Sequence, residues 1–324
     1  MSWWDGRVVL ITGASGFLGS WLTRGLLKAG AEVVGFSRHL PAPEMLHANP
    51  RLAWVEGSVA DGATLQRVMS EYEVQVVFHL AAQATAGTAV QSAASTFEVN
   101  TRGTWALLEA CRHTPRVRQI VVASSYRIYG ALPDPPFAEE RTPASRHPYD
   151  VSKYCAEILA QTYVRTYGLP VSITRCSNFY GEGDLNFSRV VPSTMRSVLQ
   201  GEAPVLRSSG TQVRDLMHVE DGARAHMLLA EKLESQPEIA GEVFNFCGTP
   251  IAIIDLVKLI ISQSGQTGLE PVIMGQDSGE APAQFLTAAK AESVLGWHPA
   301  VGLEDGLART IDWYRNYLQK AVSH

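Results

Sequence analysis

Tyr149 and Lys153 stand four residues apart in HPYDVSKYCAE, 24 positions after the hydroxyl of Ser125. On a helix this spacing puts both on one face, so the Lys153 ammonium would lie beside the Tyr149 phenol and favour its ionised form. A phenol with an ordinary pKa of about 10 then becomes an acid or base usable near neutral pH. A lone YxxxK is more often two neighbours packed on an amphipathic helix. Here a glycine-rich turn near the start of the chain and a serine at a strand end accompany the pair, and together they favour catalysis.

The glycine-rich turn is Gly13, Gly16 and Gly19 in VVLITGASGFLGSWL. Before it, Val8 to Ile11 is short, apolar and β-branched, as a buried parallel strand is. After it, Phe17, Leu18, Trp21, Leu22, Leu26 and Leu27 recur at helical spacing. Glycines at such a strand-to-helix turn suit a dinucleotide. Gly13 can take the turn conformation, Gly16 admits a pyrophosphate to the backbone, and Gly19 lets the helix pack closely on the sheet. The helix N-terminus offers free N–H groups and partial positive charge to the phosphates.

The elements that must position these groups alternate along the chain. Strand-like runs follow at Glu32 to Phe36, Leu52 to Val55, Gln75 to Leu80, Arg118 to Ser124 and Val171 to Arg175, with helical patterns around Ala63 to Met69, Thr96 to Cys111 and Lys153 to Tyr167. This alternation predicts an α/β fold, a doubly wound parallel sheet of the Rossmann kind, with a smaller C-terminal substrate domain. Irregular stretches rich in small and polar residues, from Cys176 to about Gly210 and from about Gly265 to Pro282, interrupt it. The expected division is a dinucleotide domain over 1–175 with a return segment at about 212–248, and a substrate domain built from 176–211 and 249–324.

Composition excludes several classes. With 324 residues, 46% hydrophobic and 18% charged, the chain can bury a sizeable core. The net charge of −5 and the lack of a basic stripe argue against nucleic acid as a partner. The chain has no apolar run of 18 residues and no signal-like apolar stretch in MSWWDGR, so no membrane partner and a cytoplasmic location are expected. Cys111, Cys155, Cys176 and Cys247 are widely spaced without a CxxC pair, as reduced thiols are, and offer no metal framework. His39, His47, His79, His113, His147, His218 and His226 form no ligand-spaced cluster and read as surface or packing side chains.

The segments TGASGFLG, HLAAQ, SSYRIYG, YDVSK, RDLMHVED and LGWHPAVGLEDGLARTIDWY together resemble an extended short-chain dehydrogenase/reductase of the NAD-dependent epimerase/dehydratase family. The resemblance covers essentially the whole chain. GTAVQSAASTFEVNTRGTWALLEACR and GEGDLNFSRVVPSTMRSVLQGE are most similar to the CDP-glucose 4,6-dehydratase branch. It implies a nucleoside-diphosphate sugar as substrate and, as first step, oxidation of the sugar's C4 hydroxyl to a 4-keto intermediate by hydride transfer to a bound nicotinamide. Tyr149 would then take the C4 hydroxyl proton, Ser125 would hydrogen-bond the same oxygen, and Lys153 would lower the Tyr149 pKa and bind the nicotinamide ribose. Ser15, Phe17, Leu18, Val59, Leu80, Ala81, Ala82 and Asn100 are implied, beside the glycines, around NAD or NADP. Asn178, Arg189 and Arg214 match the positions that hold the sugar-nucleotide diphosphate, a task that suits guanidinium groups. Relatives also pair the helices near Thr96 to Cys111 and Lys153 to Tyr167 into a four-helix dimer interface. A homodimer is therefore expected, with Trp105, Leu107, Leu108, Ile158, Leu159 and Tyr163 as its apolar side chains.

Two departures shape the functional expectation. After the active-site hydroxyl the CDP-glucose branch carries Asp then Lys, an acid for the departing C6 hydroxyl and a base for the C5 proton, but here Tyr126 and Arg127 stand. Arginine stays protonated and suits a phosphate or carboxylate partner better than a base's role, while Tyr126 could deliver a proton only as a weaker acid. A 4-epimerase needs neither missing group, and neither does a 4-keto-sugar reductase. The reading favours an NDP-sugar 4-epimerase, with a CDP-glucose-like 4,6-dehydratase or a reductase as alternatives, and a non-catalytic dinucleotide-binding sensor as the alternative of another class. Second, Ser37 and Arg38 replace the acid that ends the second strand in NAD-preferring sites, and Ser58 replaces an Asp near the adenine. That pair leaves NAD or NADP open and tilts slightly to NADP.

Overall fold

The β-branched runs make strands because Val and Ile pack well on a pleated surface, and runs apolar on both faces make buried parallel ones. In a computed structural model, which describes residues 2–40, 49–276 and 281–322, seven of them form one parallel sheet. They are β1 (Val8–Thr12), β2 (Glu32–Ser37), β3 (Leu52–Glu56), β4 (Val76–His79), β5 (Gln119–Ala123), β6 (Val171–Cys176) and β10 (Val243–Phe246), in the order β10-β6-β5-β4-β1-β2-β3. The predicted doubly wound sheet is what forms. Chain order reverses between β1 and β4, and a crevice opens at the carboxyl ends of strands at such a point.

Helices cover both faces. On one, α1 (Phe17–Ala29) lies with α6 (Val219–Ser235) over a core that includes Ile11, Leu22, Leu26, Phe78 and Leu229. On the other, α2 (Gly62–Glu71), α3 (Gly103–Arg112) and α4 (Pro148–Tyr167) cover Leu10, Val77, Ile120 and Val122. The helix expected from Thr96 to Cys111 is interrupted. Ala93–Phe97 is α-helical, Glu98–Arg102 is a π-helical turn, and α3 follows. Thr104 Oγ1 donates to the Asn100 carbonyl at 2.6 Å within this stretch, a side-chain bond that competes with the regular ladder.

The small lobe is built around a second sheet of β7 (Asn178–Tyr180), β9 (Val213–His218), β11 (Thr249–Ala252) and β13 (Ala283–Gln284), plus the ribbon β8 (Val205–Leu206) with β12 (Val272–Ile273). Helices α5 (Val190–Leu199), α7 (Ile253–Ser264) and α8 (Leu303–Val322) pack beside them around Met195, Leu256, Ile260, Leu307 and Tyr314. Two boundaries differ from expectation. Residues 213–218 belong to this small sheet, so the return to the large lobe begins with α6 rather than at 212. Ala288, Ala291, Leu295 and Trp297, expected in the small lobe, pack into the large-lobe core. The stretch expected to be irregular from Gly265 to Pro282 contains β12, and its residues 277–280, like His47, lie outside the described residues.

Among the described residues no helix is long and apolar enough to cross a membrane, and no group of three His, Cys, Asp or Glu side chains could hold a metal. The four cysteines are free. His79, His218 and His226 are buried, with hydrogen bonds to Thr12 and Thr104, to Glu182, and to Thr174. They act as packing side chains. Burial and the nearby Lys153 charge bring His79 down to about 3, so its ring is neutral at any ordinary pH.

Candidate active site

The strand β1 ends in a turn that only glycine can make. Gly13 has φ +76°, and a Cβ there would come within 2.9 Å of the Ala81 amide nitrogen on the neighbouring crossover. A Cβ on Gly19 would collide with the Gly13 carbonyl oxygen, so α1 could not approach the turn with any larger residue. Gly16 is the N-cap of α1 and brings no capping side chain, which leaves the first N–H groups of the helix for a bound anion. Beside the turn, Ser37 Oγ accepts from the Ser15 amide at 3.3 Å, and Arg38 lies exposed at the rim.

The candidate proton-transfer set is assembled from two further elements. Ser125 follows β5 and caps a short 3₁₀ turn, Tyr126–Tyr129, by accepting from the Arg127 amide at 3.2 Å. Pro148 opens α4, and its first two turns carry Tyr149 and Lys153 on one face. Tyr149 is hydrogen-bonded to Ser125. Its phenol is held above its usual value by burial. The Ser125 bond and then the Arg127 and Arg189 charges pull the other way. Lys153, only 4% exposed, is brought down to about 8 by burial, against the pull of the Glu157 carboxylate one turn further along α4. The spacing argument credited Lys153 with lowering the Tyr149 pKa. In the fold, burial holds the phenol up, and the foremost cation favouring the phenolate is Arg127 rather than Lys153.

All the predicted site residues except Ser58 and Asn100 line one continuous cleft of about 1650 Å³ at the carboxyl ends of the strands. It joins the glycine turn and the Leu80–Ala82 loop to Ser125, Tyr149 and Lys153, and continues to Asn178, Arg189 and Arg214 of the small lobe. Ser58 lies outside the cleft. Its hydroxyl accepts from the Ala60 amide at 3.3 Å and its carbonyl from Asp61 at 3.0 Å, so it shapes the turn into α2. Asn100, 1% exposed, spends its amide on protein. Its Oδ1 accepts from the Gln83 amide at 2.7 Å, and its Nδ2 donates to Gln83 O at 3.2 Å and Ser152 Oγ at 2.8 Å. Asn100 therefore ties the loop after β4 to the helix of Tyr149, whose carbonyl accepts from the same Ser152 hydroxyl at 2.6 Å.

The two residues after Ser125 have local partners. Tyr126, buried, donates through its hydroxyl to Asn178 Oδ1 at 3.0 Å, and Asn178 Nδ2 reaches the Asp215 carbonyl at 3.1 Å. Burial raises the Tyr126 phenol above its usual value. Arg127 Nε donates to Asp150 Oδ1 at 2.9 Å, while Asp150 Oδ2 accepts from Ser145 Oγ at 2.5 Å. Arg189 donates to Asp184 Oδ2 at 3.0 Å, and Arg214 Nη1 to the carbonyls of Val213 and Ala281, both at 2.9 Å.

Sequence reasoning missed Asp150, which fixes Arg127, although its place beside Tyr149 was a usable signal. It also missed Ser124, whose buried hydroxyl lines the cleft without a partner among the described residues. The glycine cradle, the open helix N-terminus and this orphaned hydroxyl fit a dinucleotide whose nicotinamide end reaches Ser125 and Tyr149.

Comparison with known proteins agrees with this geometry. Residues 9–247 match the model of the NAD dependent epimerase/dehydratase family. A dTDP-glucose 4,6-dehydratase of Streptomyces antibioticus is 33% identical over 320 residues, covering 95% of this chain and 92% of the relative. The crystal structure of a UDP-glucose 4-epimerase from Thermotoga maritima with UDP-glucose has a TM-score of 0.86 at 28% identity, over 96% of this chain and 100% of that one. A UDP-glucuronic acid 4-epimerase from Bacillus cereus, solved with UDP-glucuronic acid and NAD, also has a TM-score of 0.86, at 26% identity, over 96% of this chain and 100% of that one. This chain thus belongs to the NAD dependent epimerase/dehydratase family and is a nucleotide-sugar enzyme of the extended short-chain dehydrogenase/reductase type.

Proposed function

We propose that the chain is an NDP-sugar 4-epimerase. The observation that carries this reading is the pairing beside Ser125. Tyr126 is a buried phenol raised above its usual value and bonded to Asn178, and Arg127 is a guanidinium fixed on Asp150. Neither is an acid strong enough to expel a C6 hydroxyl readily, nor a base for a C5 proton, whereas the set for oxidation at C4 is intact. The large lobe would hold the dinucleotide, and the small lobe the sugar nucleotide, with Asn178, Arg189 and Arg214 on the diphosphate.

Bound NAD would supply a hydride acceptor and, in return, a donor at C4. Ser125 holds the C4 oxygen, and Tyr149 takes its proton as the hydroxyl becomes a carbonyl. Tyr149 then gives the proton back after the keto sugar has turned its other face. Lys153, buried below the phenol's helix face, carries the positive charge that a ribose hydroxyl can share. Turnover in deuterated water tests the outcome. Epimerisation leaves every carbon-bound hydrogen in place, whereas dehydration removes the C5 proton and admits deuterium there. NMR of the product should show the C4 epimer with no deuterium at C5. Deuterium at C5 in a 4-keto-6-deoxy product would establish the dehydratase reading, in which Tyr126, which lines the cleft, serves as acid.

The cofactor choice rests on Arg38. Ser37 is turned inward to the Ser15 amide, so Arg38 is the side chain at the rim that can meet a 2′-phosphate. Arg38→Ala should weaken NADP binding about tenfold by calorimetry and leave NAD within about twofold. Equal losses for both would remove Arg38 from the choice. A nicotinamide-dependent reaction and widely spaced cysteines support a cytoplasmic location.

We also propose the homodimer. Trp105 on α3 and Ile158 on α4 are 48% and 45% exposed, and these two helices pack together on the outside of the sheet. Leu107 and Leu108, expected on that face, are fully buried against the sheet. The apolar surface left for a partner is thus narrower than expected and centred on Trp105 and Ile158. Light scattering should give twice the chain mass at micromolar concentration, and Trp105→Glu should halve it. A monomeric unsubstituted protein would reject the dimer.

A further inference from the structure

The cleft carries more positive charge than a diphosphate and a dinucleotide require. Eight of its lining side chains are Arg or Lys, and the one carboxylate among its described lining residues, Asp150, is already bonded to Arg127. Most of the arginines lie in the small lobe, where a diphosphate would be gripped. Arg127 does not. Its amide is bonded to Ser125 Oγ at 3.2 Å, so it belongs to the end of the cleft where the reacting hydroxyl must sit. Resting on the C4 reading above, this position matters because C4 and the diphosphate-bearing C1 lie across the pyranose ring from each other. A cation at the C4 edge therefore faces the substituents on C3 and C5, away from the diphosphate.

Arg127 is built to be held there. Asp150, 3% exposed, accepts from Nε, and its second oxygen is fixed by Ser145. A guanidinium has five N–H donors in a planar fork, and Asp150 occupies one. The side chain is 38% exposed, and it lines the cleft. The fork's remaining edge matches a planar carboxylate in a bidentate pair, a geometry that a hydroxyl cannot fill. We infer that the sugar of the substrate carries a carboxylate on the carbon next to C4, as in a nucleoside-diphosphate hexuronic acid, and that Arg127 is the residue that selects it. The Bacillus cereus relative solved with UDP-glucuronic acid indicates that this fold admits such a sugar. The assignment to Arg127 comes from this chain.

Binding and turnover are measured separately, because the Arg127 charge also acts on Tyr149 and its removal would slow any C4 oxidation. Calorimetry on NAD-loaded Tyr149→Phe protein compares UDP-glucuronic acid with UDP-glucose, and the corresponding dTDP pair. The hexuronate should bind at least about tenfold more tightly. Adding Arg127→Gln should bring that ratio to about one. In otherwise unsubstituted enzyme, the ratio of kcat/KM for the two sugars should fall by the same factor on Arg127→Gln, since a common effect on Tyr149 cancels. Equal affinities, or a preference that survives Arg127→Gln, would overturn the carboxylate assignment and leave the C4 reading standing. A hexuronate preference accompanied by deuterium at C5 would overturn the epimerase reading alone.

Discussion

Tyr149→Phe should abolish C4 chemistry while leaving the fold and NAD binding in place. The substitution removes one hydroxyl from a half-buried ring, and the hydrogen bond lost with it is the one to Ser125. Loss of a positioned proton-transfer group costs about 10²- to 10⁴-fold in turnover. The upper end is expected, because Ser125 cannot accept a proton in its place and Lys153 is buried below. Product formation followed by NMR, with calorimetry for NAD, checks both halves. Near-normal turnover would remove Tyr149 from the mechanism. Lost NAD binding would make it structural.

The largest effect on stability is expected at a buried charge pair behind the site. Arg175 on β6, 4% exposed, makes a two-pronged bond with Glu157 on α4 at 3.0 and 2.8 Å and donates to the Tyr129 hydroxyl at 2.7 Å. The Tyr129 hydroxyl donates in turn to Asn245 Oδ1 at 3.0 Å on β10, so one guanidinium joins α4 to an edge strand. Arg175→Met would strip Glu157, 1% exposed, of its bonded partner and leave only the Lys153 charge one turn away on α4, at a cost of about 3–5 kcal/mol. Arg175→Met with Glu157→Leu should recover most of it, because an apolar pair has no desolvation penalty to offset. Urea unfolding measures both. If the double variant is as unstable as the single one, the cost lies in packing.

What the sequence made legible was local. The glycine turn could be recognised because its constraints, a positive φ and two close approaches, act within a few residues or on the next crossover. Tyr149 and Lys153 could be paired because helical spacing fixes which side chains share a face. What could not be read depended on tertiary partners. The amide of Asn100 bonds Gln83 and Ser152, which no spacing brings near it. Lys153 was credited with acidifying Tyr149, and the cost of burying both charges was not visible in a linear pattern. The strand 213–218, Val-Arg-Asp-Leu-Met-His, has no two-residue alternation, so periodicity could not say which sheet it joins. Glu157 could have been found, since Tyr149, Lys153 and Glu157 continue one four-residue series.

The two lobes do not sit at the ends of a single linker. The chain passes from one to the other between β6 and β7, again between β9 and α6, again between β10 and β11, and twice more around the stretch from Ala288 to Trp297. Each passage is only a few residues long and begins or ends in a hydrogen-bonded strand or a packed core segment. A body stitched at five places resists the twist about one axis that a hinge allows, and no single cut frees either half. Substrate selection must then come from side chains reaching into a cleft of set width, with little help from one lobe swinging over the other.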